Sequence, residues 1–150
     1  SILISDNLGE DTTETALKYF AKAEMFLQQK KTNEALKLLD TLEMHYNTHS
    51  LIDDVLFLKS KIYEKQGNIE KTVQMLLAIA DKYSHDLLGD DALYKLAQIY
   101  DYQLNDKSKA LEYYKKIIFD YSGSIYVVEA RKRFRILRGD NTSKTEKTIN

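Results

Sequence analysis

Apolar positions fall on helical spacing through most of the chain, and the pattern they make recurs. Residues 17–26 overlay residues 54–63 and 91–100 at a constant offset of 37. Tyr19, Leu56 and Leu93 then share a column, as do Ala23, Ser60 and Ala97, and Phe26, Tyr63 and Tyr100. A second register is kept by Ala35, Thr72 and Ala110, each eleven residues ahead of a tyrosine, Tyr46, Tyr83 and Tyr121. A period of this length predicts stacked helix pairs, because one pair cannot cover its own apolar face and a neighbour must do so. The third pair carries one extra residue, placed in the turn around Leu104 and Asn105, which moves its second helix to an offset of 38.

The predicted elements follow from these stripes. A first helix starts near Asp11, whose spacing from Glu14 resembles a capping box, and carries Leu17, Phe20, Ala23 and Leu27. Its partner starts at Thr32 as N-cap, with Leu36, Leu39, Leu42 and Tyr46 inward and Ala35 where two backbones approach. Helices are expected over 53–66 and 68–83 around a Gly67-Asn68 turn, then over 90–103 and 106–121. A seventh covers 124–138 and ends at Gly139. Gly67, Gly89, Gly123 and Gly139 are read as helix stops, and there is no proline. The expected organisation is a loose leader at 1–10, repeats at about 12–47, 53–83 and 90–121, a capping helix at 124–138 and a disordered tail at 139–150.

Composition narrows the classes without naming a partner. Lys+Arg 22 against Asp+Glu 23 leaves a net charge of −1, so nothing in the whole-chain charge favours nucleic acid or an anionic membrane. The absence of cysteine removes disulfides, thiolate chemistry and thiolate metal sites, and leaves the redox compartment open. The longest apolar run, residues 75–80, is far too short for a membrane span. The chain starts at Ser1, and we read it as an excised or processed piece of something longer.

The recurring columns resemble the tetratricopeptide repeat family. Its pattern asks for a large apolar residue (Tyr19, Leu56, Leu93), a small one four later (Ala23, Ser60, Ala97) and an aromatic three after that (Phe26, Tyr63, Tyr100). It then asks for a small residue early in the second helix, here Ala35, Thr72 and Ala110. Thr72 departs from the usual alanine, and Asn47, Ser84 and Ser122 stand where the family often has proline. The resemblance implies an all-α, right-handed α-solenoid of three helix hairpins plus a C-terminal capping helix, and a non-enzymatic role in binding protein or peptide. The stretch 121–131, from Tyr121 through Ser124, Tyr126 and Glu129 to Ala130-Arg131, looks like the bacterial branch found in cell-envelope assembly and cell-division coordination. A periplasmic or envelope setting is what that likeness implies.

In such a solenoid the first helices line a concave groove. The columns pointing into it are Phe20, Phe57 and Tyr94, and Glu24, Lys61 and Gln98, with Asp101 in a further row beside Leu27 and Glu64. An aromatic spine with mostly acidic or neutral neighbours suits an extended or helical partner segment bringing apolar anchors and some Lys or Arg. The alternative is that Phe20, Phe57 and Tyr94 pack between neighbouring first helices. Members of the family that bind chaperone tails use a Lys/Asn/Arg clamp; Phe, Glu and Asp occupy the comparable columns here, so a C-terminal carboxylate is not expected.

All four arginines lie in the seventh helix, at Arg131, Arg133, Arg135 and Arg138. Register makes this the first helix of a fourth repeat, and Arg131, Arg135 and Arg138 take the slots that would bury against its absent second helix. The row is either a solubilising cap or a docking face for an acidic protein or phosphate-bearing ligand, with nucleic acid the weakest reading. His45 and His49 have metal-ligand spacing but no third ligand or zincin glutamate, and His85 reads as a loop residue, so no metal or other cofactor is expected. The acid pairs Asp53-Asp54 and Asp90-Asp91 recur at the repeat offset and are explained by helix N-termini. No phosphate loop, nucleophile elbow or dinucleotide fingerprint is present, and no small-molecule substrate is expected. Two functions stay open: a scaffold for a protein partner, and a terminal block of a longer solenoid that docks on upstream repeats or forms a homodimer through its N-terminal open end around Leu17 and Met25.

Overall fold

A computed structural model describes residues 10–47, 50–82 and 88–139. The leader at 1–9, the tail at 140–150, and His49, Tyr83 and His85 lie outside the described residues, as do the side chains of Glu10, Asp11 and Thr12. Every regular element among the described residues is helical: α1 Glu10–Gln28, α2 Thr32–His45, α3 Ile52–Lys65, α4 Ile69–Lys82, α5 Gly89–Gln98 continued by a π-helical turn Ile99–Gln103, α6 Lys107–Asp120 and α7 Val127–Arg138. The chain is all-α, an alternation of helices and short turns as the repeat demands. It divides into two compact units, residues 1–75 and 76–150, with the division inside α4.

In the first unit α1 packs on α2 and α2 on α3. The columns read as small are completely enclosed: Ala23 and Ala35 are 0% exposed, Ser60 4% and Thr72 1%. A methyl group at such a position lets two helix axes close to contact distance, and larger neighbours such as Leu39, Leu42, Val55 and Ile62 fill the space around it. The two polar substitutes are satisfied within their own helices, Ser60 Oγ donating to the Phe57 carbonyl at 2.6 Å and Thr72 Oγ1 to the Asn68 carbonyl at 2.8 Å. That is why Ser and Thr fit an alanine column without an orphaned hydroxyl.

The second unit repeats the scheme. α5 packs on α6 and α6 on α7, around Ala97, Ala110, Leu96, Ile99, Tyr114, Ile117 and Ala130, all 0% exposed. Gly89, expected as a stop, is instead the first residue of α5 and is buried. α7 starts at Val127 rather than 124; before it the Ser124 side chain accepts from the Tyr126 amide at 3.1 Å and its carbonyl accepts from Val127 at 3.3 Å, a serine turn that leads into the helix. Gly139 closes α7 in the left-handed region at φ 92.

The turn inside each hairpin has one construction. Lys30, Gly67 and Asn105 occupy the same repeat position and all take positive φ, 61, 75 and 52. The amide after each returns to the carbonyl of the column aromatic: Lys31 to Phe26 at 2.8 Å, Asn68 to Tyr63 at 2.9 Å, Asp106 to Tyr100 at 2.8 Å. Space around Gly67 is open, so backbone conformation alone favours glycine there, and a lysine in its place costs about 1 kcal/mol. The helix that follows is capped by Asn68 and Asp106, whose carboxamide and carboxylate oxygens accept from the Lys71 and Lys109 amides at 3.1 Å. In the first hairpin the cap position falls to Lys31, with no side-chain bond, and Thr32 is one residue further on, a correction to its expected role.

The extra residue of the third pair is also relocated. It does not lengthen the turn at Leu104-Asn105. It is taken up in the π-helical turn Ile99–Gln103, where the Leu104 amide reaches the Ile99 carbonyl five residues back at 2.9 Å. Single wide turns of this kind inside α-helices are frequent at functional sites.

Candidate functional site

The candidate binding residues divide between the units. On α1, Phe20 is half-buried and Glu24 exposed; on α3, Phe57 is half-buried and Lys61 exposed, its ammonium 4.7 Å from the Phe57 ring centre. Beside them a cleft of about 520 Å³ opens between the end of α1, the first turn and the second half of α3. Leu27, Leu58 and Ile62 form its apolar surface and Lys30, Lys61 and Lys65 supply its charge. Of the groove columns only Lys61 and Leu27 line this cleft; Phe20, Glu24, Phe57 and Glu64 do not, and its charge comes from the turn, whose register brings Lys30 next to the two lysines of α3.

In the second unit Tyr94 stacks on Tyr126 with centroids 4.3 Å apart and meets the edge of Tyr114 at 6.3 Å. It joins α5 to the segment that leads into α7. Tyr126 in turn donates its hydroxyl to Asp91. Gln98 is half-buried. Asp101, expected to face a partner, is buried with its side chain 3% exposed, accepts from the Tyr114 hydroxyl at 2.9 Å, and is gripped at 2.8 Å by both Nε and Nη2 of Arg133. The π-helical turn aims it inward, which corrects its place in the groove.

Arg133 is the residue that reading by register passed over. It lies two positions from both Arg131 and Arg135, a rotation of about 200° on a helix, so it sits on the opposite face of α7. That signal was available. Its guanidinium also stacks over Tyr102 at 4.9 Å. Arg131 is exposed, Arg135 half-buried, and Arg138 lies over the Phe134 ring at 5.3 Å.

The acid pairs behave as first-turn groups, the Asp53 and Asp90 carboxylates accepting from the next residue's amide at 2.9 and 3.0 Å. Among the described residues no group of three or more potential metal ligands occurs, and no helix is long and apolar enough to cross a membrane.

Lys59 was not singled out by any motif. It is 5% exposed, and its ammonium bonds Asp40 at 2.6 Å and Glu43 at 2.7 Å, tying α3 to α2. Burial pushes its pKa down, but the two carboxylates outweigh this and hold it above the ordinary lysine value. Its stabilising effect is thus complete at neutral pH and fades only in strong alkali. Because Asp40 and Glu43 are 57% and 39% exposed, they can be hydrated when the lysine is lost. Lys59→Met should therefore cost no more than about 1 kcal/mol in a urea titration; a loss several times larger would show that the cluster organises the first unit.

Tyr94, Tyr113, Tyr114, Tyr121 and Tyr126 of the second unit are all shifted upward. Burial lifts Tyr113 to about 12, and burial followed by the Asp101 hydrogen bond lifts Tyr114 further. The bond to Asp91, reinforced by burial, lifts Tyr126 to about 12, while Tyr94 and Tyr121 rise through burial. A raised pKa means the folded state holds its protons longer than the unfolded chain, so stability is intact below pH about 10 and lost as pH climbs toward about 12. Tyrosinate absorbance should accordingly appear in two steps, the later one coinciding with loss of helical circular dichroism. One smooth step with helix retained would contradict the assignment.

Serial hairpins with enclosed small residues, alternating with faces that keep apolar and charged groups accessible, define a helical-repeat protein of the kind that presents surface to other proteins. The chain belongs to the family described as Tetratricopeptide repeat protein 21 ARM repeat, whose profile matches residues 5–117. The match ends before 121–131, the stretch resembling the bacterial envelope branch, and lends that branch no support. No curated protein and no solved structure matches the chain at a significant level.

Proposed function

We propose that the chain is a non-catalytic scaffold that holds a partner protein on the first-helix faces of its hairpins. The observation that carries this reading is the division of labour on α1 and α3: Ala23, Ser60 and Ile62 are spent in packing, while Glu24 and Lys61 remain exposed beside half-buried Phe20 and Phe57 and an open cleft. An aromatic flanked by accessible charge, on a rigid element, is how helical repeats recognise an extended or helical segment. A cell-envelope setting enters only through the likeness of 121–131 and would be tested by locating the protein in its host. The reading itself is tested by affinity capture with the wild type, with Phe20→Ala/Phe57→Ala and with the outward control Met44→Ala. Selective loss of a set of partners from the double variant supports it; identical capture by all three overturns it.

A second reading draws on α1. Leu17 is 50% and Met25 55% exposed, with exposed Ala21 midway between them, so an apolar ridge at spacing four runs along the helix. This ridge suits docking on further repeats or on a second copy. Sedimentation decides it: concentration-dependent association abolished by Leu17→Gln/Met25→Gln favours it, and a monomer throughout removes the homodimer.

A further inference from the structure

We infer that the cleft between α1 and α3 takes an acidic peptide segment of a partner protein, one that inserts an apolar side chain between carboxylates. This rests on the scaffold reading and specifies its ligand. Three observations converge. The cleft, about 520 Å³, is of a size that accepts a large side chain, and Leu27, Leu58 and Ile62 give it an apolar surface. Its charged lining is uniformly cationic, from Lys30, Lys61 and Lys65, and none of these three has an ion-pair partner among the described residues. Lys18, Lys59, Lys116 and Lys132, by contrast, all sit against carboxylates.

The third observation is the backbone at Lys30. The equivalent turn position in the second hairpin is Gly67 and in the third Asn105, the two residue types best suited to positive φ. The first hairpin places a lysine there at φ 61, in the conformation lysine accommodates worst of the three. At that position the lysine sets its charge on the rim of the cleft, at a backbone cost the other two hairpins do not carry. Lysines are separate point charges on flexible stems, fitted to carboxylates spread along a chain. The apolar surface between them disfavours a bare phosphate or a nucleic acid backbone, which would leave Leu27, Leu58 and Ile62 uncovered.

The test uses the full chain and a labelled, end-blocked twelve-residue peptide with one Phe among Asp and Glu, followed by fluorescence anisotropy. Binding is expected to weaken about tenfold with Lys61→Glu/Lys65→Glu, and to weaken likewise between about 50 and 500 mM salt. Lys30→Gly should weaken binding while leaving the melting temperature equal or higher, since it relieves the backbone; this separates the role of the charge from any effect on folding. A peptide with Phe replaced by Ser should bind markedly less. Failure of the acidic peptide to bind, equal binding of the Ser peptide or of single-stranded DNA, or indifference to all three lysine changes would each overturn the inference. If Phe20→Ala/Phe57→Ala still alters partner capture in that event, the scaffold reading survives and only its acidic ligand falls.

Discussion

Arg133→Ala is expected to destabilise the second unit by about 3–5 kcal/mol, read as a shift of its urea midpoint by circular dichroism. The size follows from what remains behind. Asp101 has its side chain 3% exposed and would be left with only the Tyr114 hydroxyl to bond it. Lys59 is as buried as Asp101, but its partners reach water, so its removal strands nothing; the contrast is one of which member of the pair is left inside. Removing both charges with Asp101→Leu/Arg133→Met should recover part of the loss. The remainder reflects the unsatisfied Tyr114 hydroxyl, about 1–3 kcal/mol. A loss below about 1 kcal/mol for the single variant would mean that water reaches Asp101 and that the bidentate pair is decoration.

The second large effect belongs to the small columns. Ala97→Leu should cost about 1–3 kcal/mol, because Ala97 is 0% exposed where helices close on one another and extra methylenes can only be housed by moving a backbone. Ala23→Leu should do the same in the first unit. Ser60→Ala, at the same column, should be close to neutral: it removes a hydroxyl whose only described bond is to a carbonyl of its own helix. Thermal melts of the three variants check this. Tolerance of leucine at Ala97 would show that the column marks something other than helix approach.

The hairpins were legible because their signal is redundant. Two registers, Ala23/Ser60/Ala97 and Ala35/Thr72/Ala110, each demand burial every 37 or 38 residues, and burial is what side-chain volume and periodicity encode. Element starts were read less well. Thr32 misled because any Thr before an apolar run looks like a cap, whereas the cap position is set by where the preceding turn ends, after Lys30. The π-helical turn was invisible in kind: an added residue announces itself in the spacing, yet a longer loop and a wider helix turn have the same sequence. Because that turn decides where Asp101 points, the groove residue furthest along the chain was misplaced with it. Tyr94 was ambiguous for a different reason, since an aromatic on a first helix can meet a ligand or a neighbouring element, and its stacking on Tyr126 at 4.3 Å is written in no stripe. The cleft lysines come from two elements joined by turn geometry, which no single stripe displays.

The bidentate pair also bears on how portable these hairpins are. Repeat arrays invite cutting and splicing at their turns, and the α1–α2 hairpin, bounded by polar connections, suits such use. The stretch from α5 to α6 does not. Moved alone into another array it would carry an inward carboxylate whose counter-charge stays behind on α7. Any chimaera, truncation or shuffled library that separates Asp101 from Arg133 inherits that debt, so the smallest safe cassette from this end of the chain runs through Gly139.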